Sequence, residues 1–389
     1  MRAVAVLLVL GACAAPDEEA GTRLGPGEDG GASDGGAGDG GGGDGGGGDG
    51  GGGDGGGGDG GGGDGGGDGG GEESDCVSTS SRARCTVIDP PDQTEDLVPG
   101  ILFDAAVPSW NADTPPGSWI EVQLAVRIDG TWTDWYDMGL WASGDDSIQR
   151  QSVDGQSDAW GRVYTDTLVL SRPADAARLR VIRHGDATVS RLALAVADQG
   201  ARDVDSGGRA WGTELDPPDR SQMEFAAGEA WCSPTSVSMV LGWHADRLDR
   251  PEMDVTVPEA AAGTWDAVYE GNGNWPFNTA FAATRGLSAE VGWLGAMSQI
   301  EPWISAGHPV VISAAWEAGE LDDAAISSTN GHLLVVRGFT ESGDVAVNDP
   351  AAATDEGVAR VYDREQLEDA WLGGSGGVVY LLWEGERPD

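Results

Sequence analysis

Trp231-Cys232-Ser233-Pro234-Thr235-Ser236 is the stretch on which the reading of this 389-residue chain turns. A cysteine here opens an amphipathic helix, because Val237, Val240 and Leu241 follow it at helical spacing. Pro234 suits the first helical turn, where its missing N–H costs nothing, and Ser233 is the expected N-cap. That order sets Cys232 at the positive end of the helix dipole, which favours the thiolate. A thiolate attacks a carbonyl carbon when an imidazole stands by to move protons. The competing account is a buried core cysteine, since cysteine also packs as a small apolar residue.

Two later runs bear on that choice. They are Gly331-His332-Leu333-Leu334-Val335-Val336-Arg337-Gly338-Phe339 and, after Thr340 to Asp344, Val345-Ala346-Val347-Asn348-Asp349-Pro350. Apolar, β-branched runs flanking a turn that contains Gly343 predict a hairpin. His332 then begins one strand and Asp349 ends the next, at the same end of the ribbon. A flat ladder turning at Ser342-Gly343 pairs His332 with a residue a few places beyond Asp349. Twist, a bulge or the turn geometry has to close that difference.

These three segments together resemble the peptidase C39-like group of papain-fold cysteine peptidases. The resemblance covers roughly Pro217 to the C-terminus and implies an α+β papain-like domain with a Cys-His-Asp triad. Cys232 is the implied nucleophile, His332 the general base and later acid, and Asp349 the residue that orients the imidazole. Gln222, in Ser221-Gln222-Met223, stands where the family pattern has a glutamine that helps form the oxyanion hole with the nucleophile's backbone N–H. Serine rather than glycine follows the cysteine, and the gap from Gln222 to Cys232 is longer than in papain itself.

The formal charge is −44, and lysine is absent. Residues 1–75 hold 16 of the acids and two arginines, leaving 50 acids against 20 arginines in the rest, so the acidity is global. Such a surface repels nucleic acid and anionic headgroups, and no basic stripe opposes it. Arg2, the apolar run Ala3 to Leu10 and Leu10-Gly11-Ala12-Cys13 resemble a bacterial lipoprotein signal, implying cleavage before Cys13 and its lipidation. The residue after Cys13 is alanine, which implies export to the outer membrane or cell surface of a Gram-negative envelope. The expected divisions are thus a signal over residues 1–13, a disordered Gly/Asp linker over 14–75, an all-β domain over 76–200 and the peptidase-like domain over 201–389. The linker's Gly-Gly-Gly-Gly-Asp units have no apolar side chains with which to form a core. As a flexible coil it reaches ~40–45 Å.

Cys76 and Cys85 stand nine residues apart at the start of the first globular segment, the expected spacing of a disulfide in an exported protein. Strict alternation at Ile120, Val122, Leu124, Val126 and Ile128, followed by Asp129-Gly130, predicts a strand and a hairpin turn. With further strands expected over Val163 to Leu170, Ala177 to Ile182 and Val189 to Val196, this segment reads as a β-sandwich of jelly-roll type. Trp110, Trp119, Trp132, Trp135, Trp141 and Trp160 fill either its core or a face that stacks on glycan rings. The remaining histidines of the second domain, His244 and His308, read as structural.

Helices are also expected over Asn278 to Arg285 and Met297 to Ala306, and strands over Pro309 to Trp316 and Val378 to Trp383. No metal-ligand pattern or glycine-rich phosphate loop occurs, so neither a metal nor another cofactor is expected. The sequence therefore points to an exported, lipid-anchored hydrolase of peptide or amide bonds. The alternative is a non-catalytic surface lipoprotein whose tryptophan-rich sandwich binds glycan or a partner.

Overall fold

The computed structural model describes residues 75–144 and 148–388. Cys13, with its expected lipidation, and the Gly/Asp linker lie outside these residues. Among the described residues, ten strands precede position 200: β1 (Asp75–Ser78), β2 (Arg82–Ile88), β3 (Phe103–Asp113), β4 (Trp119–Ile128), β5 (Thr131–Trp132), β6 (Tyr136–Trp141), β7 (Gly161–Tyr164), β8 (Thr167–Ala174), β9 (Ala176–His184) and β10 (Thr188–Ala197). They pair antiparallel into one sheet of order β1-β2-β10-β3-β8-β7 and a second in which β4 is flanked by β9 on one side and by β6 and β5 on the other.

Alternation builds β4 as expected: Ile120, Val122, Leu124, Val126 and Ile128 are all fully buried. They share one core with Val107 and Trp110 of β3 and Leu192 and Leu194 of β10 in the other sheet. Asp129 and Gly130 both take positive φ, 48° and 77°, the pair of left-handed residues that a tight two-residue hairpin requires. The stretch Val163 to Leu170 is not the single strand its composition suggests. The chain reverses at Thr165, φ 53°, and forms the hairpin β7–β8. Cys76 and Cys85 face each other across β1–β2 and are disulfide-bonded.

The second half contains β11 (Thr213–Glu214), α1 (Cys232–Leu248), α2 (Val257–Thr264), α3 (Trp275–Thr284), β12 (Ser288–Trp293), α4 (Glu301–Ala306), β13 (Val310–Trp316), β14 (Thr329–Phe339), β15 (Val345–Asn348), β16 (Ala359–Tyr362), α5 (Arg364–Gly374) and β17 (Val378–Trp383). The antiparallel sheet runs β12-β17-β13-β14-β15-β16, with β11 added alongside β14. Side chains alternate between its two faces, as the two-residue period of a strand demands. Val311, Leu333, Val335 and Tyr380 join the core that holds α1 and α3, whereas Ile312, Leu334, Val336 and Val379 join Ile304 of α4 and Trp371 of α5.

The two halves dock through β12, an end strand paired on one side with β17. Toward the N-terminal half, Asn111 of β3 takes the place of a strand. Its Nδ2 donates to the Ala289 carbonyl at 2.7 Å and its Oδ1 accepts the Ala289 N–H at 3.2 Å. Ser109 Oγ accepts the Val291 N–H at 3.1 Å. Glu290, buried between the halves, is met by Arg191 at 2.9 Å, Arg387 at 2.8 Å and the Thr86 hydroxyl at 3.1 Å. An end strand with unpaired N–H and C=O groups invites pairing with other chains, and here polar side chains of the N-terminal half satisfy it.

Candidate active site

Helix α1 begins at Cys232, with Trp231 in the N-cap position and no side-chain cap. The expected Ser233 cap is not formed. The Trp231 carbonyl accepts the Thr235 N–H at 3.0 Å, so the helix starts two residues earlier and Pro234 falls third in it. Ser233 is instead buried and shares a 2.8 Å hydrogen bond with the Tyr380 hydroxyl. That phenol is fully buried and needs a partner.

Strand β14 receives the helix through the backbone of Leu333. Its N–H donates to Cys232 Sγ at 3.4 Å, and its carbonyl accepts the Ser236 hydroxyl at 3.1 Å. Residues 232 and 236 lie one turn apart on the same helix face, so two side chains of α1 clamp one peptide unit of the strand. The sulfur is thereby set against the residue that follows His332. Cys232 is fully buried, and any chemistry at this position belongs to its reduced thiol.

His332 and Asp349 meet at 2.7 Å, Nε2 to Oδ1. The register difference seen in the sequence is closed partly by a bulge. Phe339 pairs with Val345 and Gly338 with Ala346, but past Arg337 the partners become Val336 with Val347 and Val335 with Asn348. One extra residue on β14 brings its early positions one place closer to Asp349. Asp349 then leaves the ladder, its N–H donating to the Val358 carbonyl at 2.8 Å. Its Oδ1 also accepts the Ala351 N–H at 2.9 Å, and its Oδ2 accepts the Tyr362 hydroxyl at 2.7 Å. Burial pushes this carboxyl upward. The His332 charge and hydrogen bond, the Tyr362 hydroxyl and the Ala351 N–H outweigh it and hold Asp349 below the usual carboxylate range. Trp316 packs edge-on to the His332 ring, with centroids 5.7 Å apart, and lines a cleft of about 670 Å³ with Thr329, Asn330 and Asp363.

A family model for Peptidase_C39-like proteins matches residues 214–377. Residues 214–377 are a C39-like peptidase domain. A second family model, for the Peptidase C39 N-terminal domain, matches residues 94–197. It spans β3 to β10, the strands that hold Asn111 and Ser109 against β12. Among solved structures, a candidate C39-like peptidase from Bacillus anthracis is 16% identical, covers 49% of this chain and 100% of its own, and has a TM-score of 0.29. No curated protein matches the chain.

Within the C39-like domain, Gln222 lies close in sequence to the nucleophile helix but does not present its amide as an oxyanion donor. Its Nε2 donates to the Gly228 carbonyl at 2.8 Å and the Glu229 carbonyl at 3.1 Å, so both amide hydrogens are committed to the loop that leads into α1. The reason is local. Turns at Gln222–Glu224 and Gly228–Ala230 fold the loop over the side chain, leaving inward-facing carbonyls that need donors.

His244 and His308 stack on each other, centroids 5.3 Å apart. His244 is twelve residues beyond Cys232, roughly 18 Å along the helix at 1.5 Å per residue. Tyr362 and Trp316 carry no sequence signal for a site. Only the pairing of Val345 with Tyr362 and of Trp316 with Thr329 brings them to the His332–Asp349 pair.

The tryptophans of the N-terminal half divide between core and surface. Trp110 and Trp141 are fully buried. Trp119 is stacked with His184 at 4.4 Å, Trp132 lies under Arg178 at 4.1 Å, and Trp135 under Arg180 at 4.0 Å. Each of these three rings has a face covered by the protein's own side chain.

Proposed function

We propose that the chain is an exported, lipid-anchored cysteine hydrolase of peptide or amide bonds with a papain-like C39 domain, tethered through Cys13. The observation that carries the reading is the buried 2.7 Å His332–Asp349 contact with the Cys232 sulfur against the next peptide unit, all inside a C39-like peptidase domain.

In this reading the reduced Cys232 gives its proton to His332, and the thiolate attacks the scissile carbonyl carbon. The carbonyl electron pair moves onto oxygen, where the backbone N–H groups at the start of α1 stabilise it. Collapse of the tetrahedral intermediate expels the amine, which takes the proton from the imidazolium, and leaves a thioester on Cys232. Water, deprotonated by His332, attacks the thioester, releases the acid and restores the thiol. Asp349 holds the imidazole in orientation and stabilises its charged form.

The test is labelling of the reduced protein with a thiol-directed probe across pH, with Cys232→Ala and His332→Ala as controls. Labelling of Cys232 at neutral pH that requires His332 is the expected result. Labelling that rises only above about pH 8.5, the range of an ordinary thiol, and ignores His332 would overturn the proposal.

A further inference from the structure

We infer that Tyr362 is a positioning residue of this site, fixing the tautomer of His332 through Asp349; the inference rests on the Cys232–His332 reading. A phenol has one proton to donate and lone pairs to accept with. The lone pair is taken by the Ala325 N–H at 3.1 Å, so the hydroxyl proton goes to Asp349 Oδ2 at 2.7 Å.

The other carboxylate oxygen receives the Ala351 N–H at 2.9 Å. With both oxygens of an ionised Asp349 accepting, the proton on the 2.7 Å line between Oδ1 and His332 Nε2 belongs to nitrogen. Neutral His332 is thereby the Nε2–H tautomer, and Nδ1 is left as the acceptor that a general base needs. Tyr362 is fully buried, and its hydroxyl bridges the carboxylate to the segment between β13 and β14. The backbone of that segment holds Trp316 as well, the Ile326 carbonyl accepting its Nε1–H at 3.2 Å. Both side chains that flank the His332–Asp349 pair are thus anchored at adjacent residues, 325 and 326.

The experiment alkylates the reduced full-length chain with iodoacetamide from pH 5 to 9 and follows the Cys232 peptide by mass spectrometry. Tyr362→Phe keeps the ring and removes the proton donor. Loss of one charge-assisted hydrogen bond predicts an alkylation rate about 10-fold lower at neutral pH and an acid limb moved up by about one pH unit. A folded Tyr362→Phe variant with the wild-type rate and profile overturns the inference. The ¹⁵N spectrum of the His332 ring in the unaltered protein judges it independently, should that variant not fold. A neutral ring carrying its proton on Nε2 supports it, and a neutral ring protonated on Nδ1 overturns it. Wild-type protein lacking any His332-dependent reactivity sinks the catalytic reading instead, while the ring spectrum still decides the role of Tyr362.

Discussion

At the residue scale, Gly228 lets the loop ahead of Cys232 close on Gln222. A Cβ at position 228 would stand 1.7 Å from the Gln222 carbonyl oxygen, so only glycine admits this approach. Gln222 in turn braces the loop with both amide hydrogens. Gln222→Ala takes its donor from the Glu229 carbonyl and leaves the Gly228 carbonyl with the Trp231 N–H alone, and is expected to lower the unfolding free energy by about 1–3 kcal/mol in urea titrations. Gly228→Ala should be at least as damaging, because backbone must move. An oxyanion donor behaves differently, since its loss reduces turnover by roughly 10²–10³ with little change in stability. A Gln222→Ala protein of wild-type stability would therefore return this residue to the oxyanion hole.

At the element scale, β12 shows why the two halves are interdependent. Its outward edge is satisfied by Asn111 and Ser109 from β3, side chains that precede it by about 180 residues. Asn111→Ala removes a donor and an acceptor at a buried position together, with an expected destabilisation of about 1–3 kcal/mol by chemical denaturation. A fragment holding residues 201–389 alone leaves that edge open and bares the core face beneath sheet strands β3 and β10. It should elute as aggregates in size-exclusion chromatography where the longer chain from residue 75 elutes as a discrete species.

The sequence makes some of this legible and not the rest, for physical reasons. Strand β4 and its turn are readable because alternation and an Asp-Gly pair are local signals. The His332–Asp349 hairpin is readable for the same cause, and its bulge only as a register that does not close. Helix α2 carries a local signal as well, the Thr256–Glu259 capping box that the structure forms with Pro258 in the first turn. The docking of Asn111 on Ala289, the Tyr362 contact and the stacking of His244 on His308 are long-range pairings. No periodicity or motif in one segment announces them.

At the scale of the whole molecule, buried titratable groups set opposing pH dependences. Asp166, on the β7–β8 turn, is buried against the N-terminus of α3, accepting the Trp275 N–H at 2.6 Å. Burial pushes its carboxyl up to about 7, with Asp266 nearby adding to the shift. The native state then keeps a proton that the unfolded chain releases near pH 4, so this group's contribution is present at low pH and lost as pH rises through about 7. His244 and His308 work the other way. Burial lowers them to about 3 and about 4, with the neighbouring His308 and Arg247 charges opposing protonation of His244 and Arg247 that of His308. Their contribution is present above about 6.5, the unfolded value, and lost as pH falls toward 3–4. Summed over these three groups alone, the two histidines outweigh the carboxyl between about pH 4 and 6.5 and their joint contribution rises, and above about 6.5 only the decline from Asp166 remains. Asp166→Asn removes the falling contribution. Urea unfolding measured from pH 4 to 8 should show a steeper rise below 6.5 in that variant and a plateau above it. A variant profile parallel to the wild type throughout would mean that Asp166 is ionised in the native state over the whole range.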